Sequence, residues 1–391
     1  MPGGDPSDPL DELRGLVGEM SRAGVGRVHV LGWRDLEDPD AGGSEVHADE
    51  FMRRWADAGL YVLHRTSAAV GVPAESDRNG YRVIRRGSRY SVFPRAVAAE
   101  ITGRMGPSDA LVEIWNGVPW FSPVWCRRPR ITVLHHVHGP MWDQIFPGPL
   151  AAIGRGLETR FAPPFYRRTS MVAPSDATKE ELVELGFPAE NVLAVPNGTD
   201  PRFRPGGRRT EWPSIIAVAR LAPVKRFGLL LDAVIEARRS VPDVRFTIVG
   251  DGPDRPELER RVDDLDAHDW VEFTGRVDHA DLVALYQRSW VVASASIAEG
   301  WGLSLTEGGG CATPAVATDI RGHRSSVVDG VTGLLADESA LADALVRVLT
   351  DEELRRRLGA AAAERVASMT WDASALGVTR ALHAQVIDHP A

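Results

Sequence analysis

Two runs of sequence decide the fold of this chain: the apolar Trp290-Val291-Val292-Ala293-Ser294 and, shortly after it, Ala298-Glu299-Gly300-Trp301-Gly302-Leu303-Ser304-Leu305-Thr306-Glu307. The first run is typical of a strand that is buried on both faces, as in a parallel sheet. We therefore expect Glu299 in the loop beyond the C-terminal end of that strand, where open α/β sheets bind ligands. Glu307 is predicted to lie about a turn into the following helix.

The glycines of this loop open its backbone to a ligand. Gly300 and Gly302 remove side chains, so the amides near Gly302 and Leu303 at the helix start are able to approach an anion. Carboxylates accept paired hydrogen bonds from vicinal hydroxyls, which sugars and riboses carry. Taken alone, the pattern is explained equally well by one glutamate that caps the helix and another on its solvated face.

Together these residues resemble the E-x7-E signature of retaining glycosyltransferases of family 4, which have the GT-B fold. The resemblance extends over residues 27 to 372. It implies that Glu299 contacts hydroxyls of the donor sugar and that Glu307 holds the nucleotide ribose. The resemblance also implies that the residues between the two glutamates contact the donor: Gly300, Trp301, Gly302 and Leu303.

Composition limits the class of protein. A chain of 391 residues exceeds the usual size of one domain, and its net charge of -9 argues against a nucleic-acid-binding protein. Its two cysteines, Cys126 and Cys311, provide no disulfide framework, which fits a reducing cytoplasm. No apolar run has the length of a membrane span, and Met1 to Asp11 lacks the features of a signal peptide. We expect a cytoplasmic protein.

The resemblance implies two Rossmann-like α/β/α domains that face each other across a cleft, with a C-terminal helix that crosses back to the first domain. Arg204 to Arg209 has the composition of a linker. The predicted regions are an N-terminal helical extension (1–26), an acceptor-side domain (27–205), a nucleotide-sugar donor domain (206–372) and the returning helix (373–391).

Three cations, Arg220, Lys225 and Arg226, stand between a predicted strand ending at Ala219 and a predicted helix starting at Phe227. Cations are unfavourable at a helix N-terminus, where the macrodipole is positive, and a bound diphosphate reverses the sign of that interaction. Exposed cations of little energetic effect are the alternative. Arg220 and Lys225 also match the R-x4-K pair with which family 4 enzymes grip the donor diphosphate.

Other glycine turns follow predicted strands. Gly42 and Gly43 resemble the glycine loop of the family's first domain, which lies beside the donor phosphate or the acceptor, and Asn197 belongs to a Pro-Asn-Gly element that closes that domain in relatives. We predict that these three residues, and Gly250, contact the donor. Gly250 ends a strand without forming G-x-G-x-x-G, which disfavours a dinucleotide dehydrogenase. Relatives place the loop that carries Arg276 and Val277 over the nucleobase.

A histidine cluster, His135-His136-Val137-His138, follows the predicted strand Ile131 to Leu134. Strand alternation predicts that His136 and His138 point the same way. We favour hydrogen bonds to donor or acceptor over a zinc site, since only Asp143 lies nearby in sequence as a further ligand. Asp38-Pro39-Asp40 spells D-x-D outside its metal-binding context, and we expect no required metal ion or cofactor.

Basic and aromatic residues crowd the first domain. They are compatible with an anionic acceptor or with peripheral contact at the inner membrane face, although we favour a solvated face for the arginines and core packing for most aromatics. The arginines are Arg82, Arg85, Arg86, Arg89, Arg95 and Arg104. The aromatics are Trp115, Trp120, Phe121, Trp125, Trp142 and Phe146.

The resemblance implies hexose transfer from a UDP- or GDP-linked sugar to a saccharide, lipid-linked or small-molecule hydroxyl. The catalytic candidates are Arg220, Lys225, Glu299, His136 and His138. Three alternatives use a similar donor site: a nucleotide-sugar epimerase, a sugar phosphorylase and a non-catalytic nucleotide-sugar-binding protein.

Overall fold

The computed structural model describes residues 8–145 and 148–388, which form two compact units. Unit 1 combines Met1–Gly198 with Trp371–Ala391, and unit 2 is Thr199–Thr370. The predicted linker, residues 204–209, therefore belongs to unit 2. Arg209 ties it there, because its guanidinium donates to the Ala312 carbonyl and to the Thr313 hydroxyl, each at 2.6 Å.

Unit 1 is built on an eight-stranded sheet of order β3-β4-β2-β1-β5-β6-β7-β8. All neighbouring strands are parallel except the antiparallel pair β3 and β4. The strands are β1 (Arg27–Leu31), β2 (Tyr61–Thr66), β3 (Glu75–Arg78), β4 (Tyr81–Arg85), β5 (Ala110–Trp115), β6 (Arg130–Leu134), β7 (Ser170–Ala173) and β8 (Val192–Ala194). Every residue of β5 is buried, as expected for a strand covered on both faces.

The helices of unit 1 alternate with these strands. They are α1 (Pro9–Arg22), α2 (Gly43–Asp57), α3 (Val92–Ile101), α4 (Ser122–Trp125), α5 (Trp142–Ile145), α6 (Gly148–Gly156), α7 (Pro163–Tyr166) and α8 (Asp176–Glu184), with a π-helical segment at Leu157–Phe161. Helix α2 begins at Gly43, where the Glu45 carboxylate accepts the Gly42 amide proton at 2.7 Å and caps the helix start.

Unit 2 has six parallel strands in the order β11-β10-β9-β12-β13-β14. The strands are β9 (Ser214–Val218), β10 (Arg245–Val249), β11 (Val271–Gly275), β12 (Val291–Ser294), β13 (Ala315–Thr318) and β14 (Gly333–Ala336). The helices are α9 (Phe227–Ser240), α10 (Arg255–Asp264), α11 (His279–Arg288), α12 (Leu303–Gly310), α13 (Arg321–Ser326), α14 (Leu341–Thr350) and α15 (Glu352–Ala367). This strand order is that of a doubly wound Rossmann-like sheet.

The last helix, α16 (Trp371–Asp388), belongs to unit 1, in line with the returning helix that the sequence predicted. Its Val378 and Leu382 share one buried cluster with Leu13 and Val17 of α1. The N-terminal helix is therefore part of the core of unit 1 and not an addition to it. Residues 1–7, within the predicted extension, lie outside the described residues.

The edge strand β3 was not predicted, because its polar Glu75–Arg78 lacks the apolar alternation of a typical strand. It pairs with β4 as a short hairpin at the edge of the sheet. Of the helices in residues 8–145 and 148–388, not one has the length and apolarity needed to cross a membrane.

Candidate functional site

The candidate site lies at the C-terminal ends of β9 and β12. These two strands are neighbours at the centre of the unit 2 sheet, and the chain continues from β9 to one side and from β12 to the other. Such a switch point leaves a crevice beyond the strand ends, where doubly wound sheets bind ligands. A small cavity of about 10 Å³ is lined there by residues of both strand ends, among them Ala219, Lys225, Ser294 and Ser296.

Lys225 and Glu299 form an ion pair across this switch point. Lys225 ends the short 3-10 turn Pro223–Lys225 after β9, and Glu299 lies in the loop after β12. The Ser296 hydroxyl donates to the same carboxylate at 2.8 Å. Burial alone raises the pKa of Glu299, but the Lys225 charge and these hydrogen bonds outweigh it, so the pKa lies below its usual value.

Glu307 lies on α12, as predicted, in a different electrostatic environment. Its carboxylate accepts a hydrogen bond from the Tyr286 hydroxyl at 3.0 Å. Burial raises the pKa of Glu307 to about 7, with a smaller contribution from the negative charge of Asp200 that the Tyr286 hydrogen bond opposes. The two glutamates therefore differ: Glu299 is held ionised by a cation, whereas Glu307 titrates around neutral pH, where its protonated and ionised forms are both populated.

Gly302 shapes the turn between the two glutamates. Its φ of 86° lies in the left-handed region, and a side chain there would meet the Ser326 hydroxyl at 3.3 Å and the His323 ring at 3.4 Å. The turn leads directly into α12, so the amide groups of Leu303 and Ser304 are at the start of that helix. Gly300 is half-buried and Trp301 is buried in the same loop.

Packing explains two of the three glycines that follow Glu307. A Cβ atom at Gly308 would lie 2.7 Å from Val292 Cγ1, and one at Gly310 would lie 2.5 Å from the Phe203 carbonyl oxygen, whereas one at Gly309 would make ordinary contacts at 3.4 Å. Helix α12 is short, only eight residues, and it packs closely against β12, which compensates for the low helix propensity of glycine.

The loops after β9 and β10 are stacked on each other. A side chain at Gly250 would collide with the carbonyl oxygen of Ala219, the residue just before Arg220. Gly250 therefore lets the two loops touch, whatever it does toward a ligand. Arg220 is exposed, and Arg276 and half-buried Val277 follow β11 at the same edge of the sheet.

Two of the three cations near the start of α9, for which the sequence predicted a bound diphosphate, are paired with carboxylates of the protein. Lys225 is paired with Glu299, and Arg226 donates to Glu338 at 2.6 Å. Arg226 also donates to the Ala295 carbonyl at 3.1 Å. Carboxylates from distant parts of the sequence thus neutralise two of the three charges, and a diphosphate is not needed to balance them.

In unit 1 the histidines separate into two environments. His135 is buried and lies 2.9 Å from the His47 ring, and burial lowers its pKa to about 3. The rings of His136 and His138 stack at 4.4 Å between centroids, as the predicted common direction requires. The buried Glu158 carboxylate anchors this loop by accepting the backbone amide of His138 at 2.9 Å.

Three further predicted residues of unit 1 lie in or next to loops that follow strands of its sheet. Gly42 and Gly43 are exposed at the start of α2. Asn197 is buried beyond β8, and among the described residues its side-chain oxygen has no hydrogen-bond partner. A buried amide oxygen of this kind is an available acceptor for a ligand.

The arginine-rich segment does not form a basic surface. Arg85 is buried and donates to Asp35 at 2.6 Å and to Glu37 at 2.5 Å. Arg82 and Arg86 both pair with Glu75, and Arg89 pairs with Asp38 and Asp40. Four of the six arginines are thus neutralised by acidic residues elsewhere in unit 1, which weakens the argument for an anionic or membrane partner there.

Asp38 and Asp40 of the D-x-D sequence are the ion-pair partners of Arg89. Within the described ranges 8–145 and 148–388, no group of three or more His, Cys, Asp or Glu side chains is placed to hold a metal ion. Of the predicted aromatics, Trp115, Trp120 and Trp142 are core residues, Phe121 and Trp125 are half-buried, and Phe146 lies outside the described residues.

Sequence reasoning missed Tyr286, Ser296 and His323. Ser296 carried one usable signal, since it lies between a strand end and Glu299. Tyr286 and His323 carried none, because they reach the site from α11 and α13, which are distant in sequence.

Comparison with known proteins agrees with this geometry. Residues 200–365 match the family Glycosyl transferases group 1, and residues 41–203 match Glycosyltransferase Family 4. A D-inositol 3-phosphate glycosyltransferase of Frankia alni is 32% identical over 54% of this chain and 58% of the relative. One of Stackebrandtia nassauensis is 28% identical over 94% of this chain and 93% of the relative.

Solved structures show the same fold. Sucrose-phosphate synthase of Thermosynechococcus elongatus superposes with a TM-score of 0.76 at 22% identity, over 90% of this chain and 97% of that one. Anabaena HepE in complex with UDP-glucose superposes with a TM-score of 0.69 at 19% identity, over 93% of this chain and 98% of that one. The two family matches and these folds lead to one conclusion: the chain belongs to the family 4 glycosyltransferases and has the GT-B fold.

Proposed function

We propose that this glycosyltransferase moves a hexose from a nucleotide-diphosphate sugar to a hydroxyl acceptor with retention of anomeric configuration. The observation that carries the proposal is the arrangement at the switch point of unit 2. Lys225 and Glu299 follow the ends of the neighbouring strands β9 and β12, and one short loop after Glu299 leads to the start of α12, which carries Glu307. A diphosphate sugar needs these groups: a cation, helix-start amides and two carboxylates for hydroxyls.

In this proposal, Arg220, Lys225 and the amides of Gly302 and Leu303 stabilise the negative charge that builds on the leaving diphosphate. Glu299 orients the sugar and Glu307 accepts hydrogen bonds from the ribose. The acceptor attacks on the face from which the nucleotide departs, so no protein nucleophile is required. Gly250, Arg276 and Val277 provide further contacts to the nucleotide.

We assign the acceptor to unit 1, where His136 and His138 are candidate contacts. The named activity of the relatives suggests D-inositol 3-phosphate as the first acceptor to test. UDP-glucose is the first donor to test, because HepE was solved with it. GDP-linked sugars complete the donor panel.

The test begins with thermal unfolding of the chain in the presence of UDP, GDP and their sugar conjugates, because a ligand that binds the folded state raises Tm. The stabilising donor is then incubated with D-inositol 3-phosphate and with a panel of saccharides. NMR of the product reports whether its anomeric configuration equals that of the donor. An inverted product, or the absence of any transfer despite tight donor binding, contradicts the proposal.

Two control incubations separate the alternative enzymes. Donor alone should remain unchanged, whereas an epimerase would convert it to an isomer. Added phosphate should release no sugar phosphate, whereas a phosphorylase would release it.

A further inference from the structure

Glu299 has two carboxylate oxygens, and they are used differently. The hydrogen bonds that the structure assigns to it among the described residues, from Lys225 and from Ser296, both end on Oε1. Only 16% of this side chain is exposed, so its partners fix which oxygen faces a ligand. Oε1 is committed to the protein, and Oε2 remains for one hydroxyl of a ligand.

The backbone of buried Ser296 is fixed by a hydrogen bond from the neighbouring strand. Ser296 is 1% exposed, and its carbonyl oxygen accepts the Thr318 hydroxyl proton at 2.8 Å. Because that contact joins the end of β12 to the end of β13, the backbone of Ser296 is fixed by the sheet. A serine hydroxyl on a fixed backbone orients a neighbouring carboxylate more precisely than a serine hydroxyl on a mobile backbone does.

The positions of the protons around Ser296 also indicate that its hydroxyl donates to Glu299. His323 Nδ1 lies 2.7 Å from the Thr318 carbonyl oxygen, which only accepts, so Nδ1 carries the proton of the neutral ring. His323 Nε2 must then accept, and Ser294 donates to it at 3.1 Å. With its only proton used there, Ser294 does not donate to Ser296.

Ser296 therefore has one proton and two possible acceptors. Ser294 Oγ lies at 3.3 Å and Glu299 Oε1 at 2.8 Å. The carboxylate is nearer and charged, so it receives the proton. The backbone agrees with this arrangement, because a side chain at Gly322 would collide with the Glu299 carbonyl oxygen, which places the first turn of α13 directly against the loop.

We propose that Ser296 is a positioning residue for the donor sugar: held by Thr318 and flanked by the His323–Ser294 pair, it fixes Glu299 with Oε1 toward the protein and Oε2 toward a sugar hydroxyl. This inference rests on the proposed function, since it assumes that Glu299 contacts the sugar. It predicts that Ser296 affects binding of the sugar moiety and not binding of the nucleotide.

The experiment compares calorimetric affinities for a nucleoside diphosphate and for its sugar conjugate, using whichever pair the wild-type chain binds: UDP with UDP-glucose, or GDP with GDP-mannose. Ser296→Ala should weaken binding of the conjugate about tenfold, as expected for one hydrogen bond to a charged group, and leave nucleoside diphosphate binding unchanged. Ser325→Ala is the matched control, because that hydroxyl donates to the Arg321 carbonyl within α13 and not to Glu299. It should change neither affinity.

A double-mutant cycle tests whether Ser296 acts through Glu299. In a Glu299→Ala background, which leaves no oxygen for Ser296 to orient, Ser296→Ala should have no further effect on conjugate binding; an additive loss overturns the proposal. Thr318→Val, which removes the support of Ser296, should reproduce the selective loss if Ser296→Ala does not fold.

Equal weakening of both ligands by Ser296→Ala, or no weakening of the conjugate, also overturns the inference. Failure of the proposed function is a different result, since the wild-type chain would then bind neither pair, or would bind a sugar conjugate without transferring its sugar.

Discussion

Replacing Glu307 with glutamine removes a buried ionisable group whose pKa burial raises from 4.5 to about 7. A carboxyl with a raised pKa stabilises the fold only in its protonated form, so its contribution is complete below the unfolded pKa and is lost as pH rises through 7. The pKa difference of about 2.5 corresponds to a cost of about 3 kcal/mol in the ionised state. Glutamine avoids that cost and still accepts the Tyr286 hydrogen bond.

We therefore expect Glu307→Gln to stabilise unit 2 more at high pH than at low pH. The gap in unfolding free energy between variant and wild type should widen by about 2 to 3 kcal/mol between pH 5 and pH 8.5. Hydrogen exchange of the α12 amides measures this locally, and urea unfolding of the full chain measures it globally. Glu236→Gln is the matched control, because Glu236 is an exposed partner of Arg239.

An equal gap at both pH values would show that Glu307 titrates like an exposed carboxyl, and the argument from burial would fail.

The Glu307 carboxyl should also make nucleotide binding depend on pH. Ribose hydroxyls donate to the ionised form, so the wild-type affinity for UDP or GDP should fall below pH 7 more steeply than that of Glu307→Gln. The variant should nevertheless bind more weakly at pH 8.5, so that stability and affinity change in opposite directions.

Lys225→Ala should abolish transfer and raise the pKa of Glu299, because that carboxylate loses its cation; retained turnover in a product assay would remove Lys225 from the mechanism. Gly302→Ala should destabilise the protein by about 1 to 2 kcal/mol, because a side chain is strained in the left-handed backbone conformation and also meets neighbouring side chains there. Gly330→Ala has a similar φ of 70° but no atom within 4 Å, so urea unfolding should show a smaller loss for it. Glu158→Ala should release the His138 loop, and limited proteolysis there should become faster than in wild type.

Much of the fold is readable from the sequence because it depends on local patterns. The apolar run 290–294 predicts a doubly covered strand, and the structure has β12 at Val291–Ser294. Glu299 follows that strand as a loop residue and Glu307 lies on the next helix, which the order of residues alone requires. The resemblance to family 4 glycosyltransferases was confirmed over both halves of the chain. The roles assigned to individual site residues stay predictions.

What the sequence by itself determined is which elements form and which residues stand at their ends. Only the tertiary structure decided which of those ends touch. It paired Lys225 with Glu299, buried Arg85 against Asp35 and brought His323 beneath the glutamate loop. The physical reason is that strand and helix formation depends on neighbours along the chain, whereas the partner of a charge depends on sheet order and packing, which bring together residues far apart in sequence.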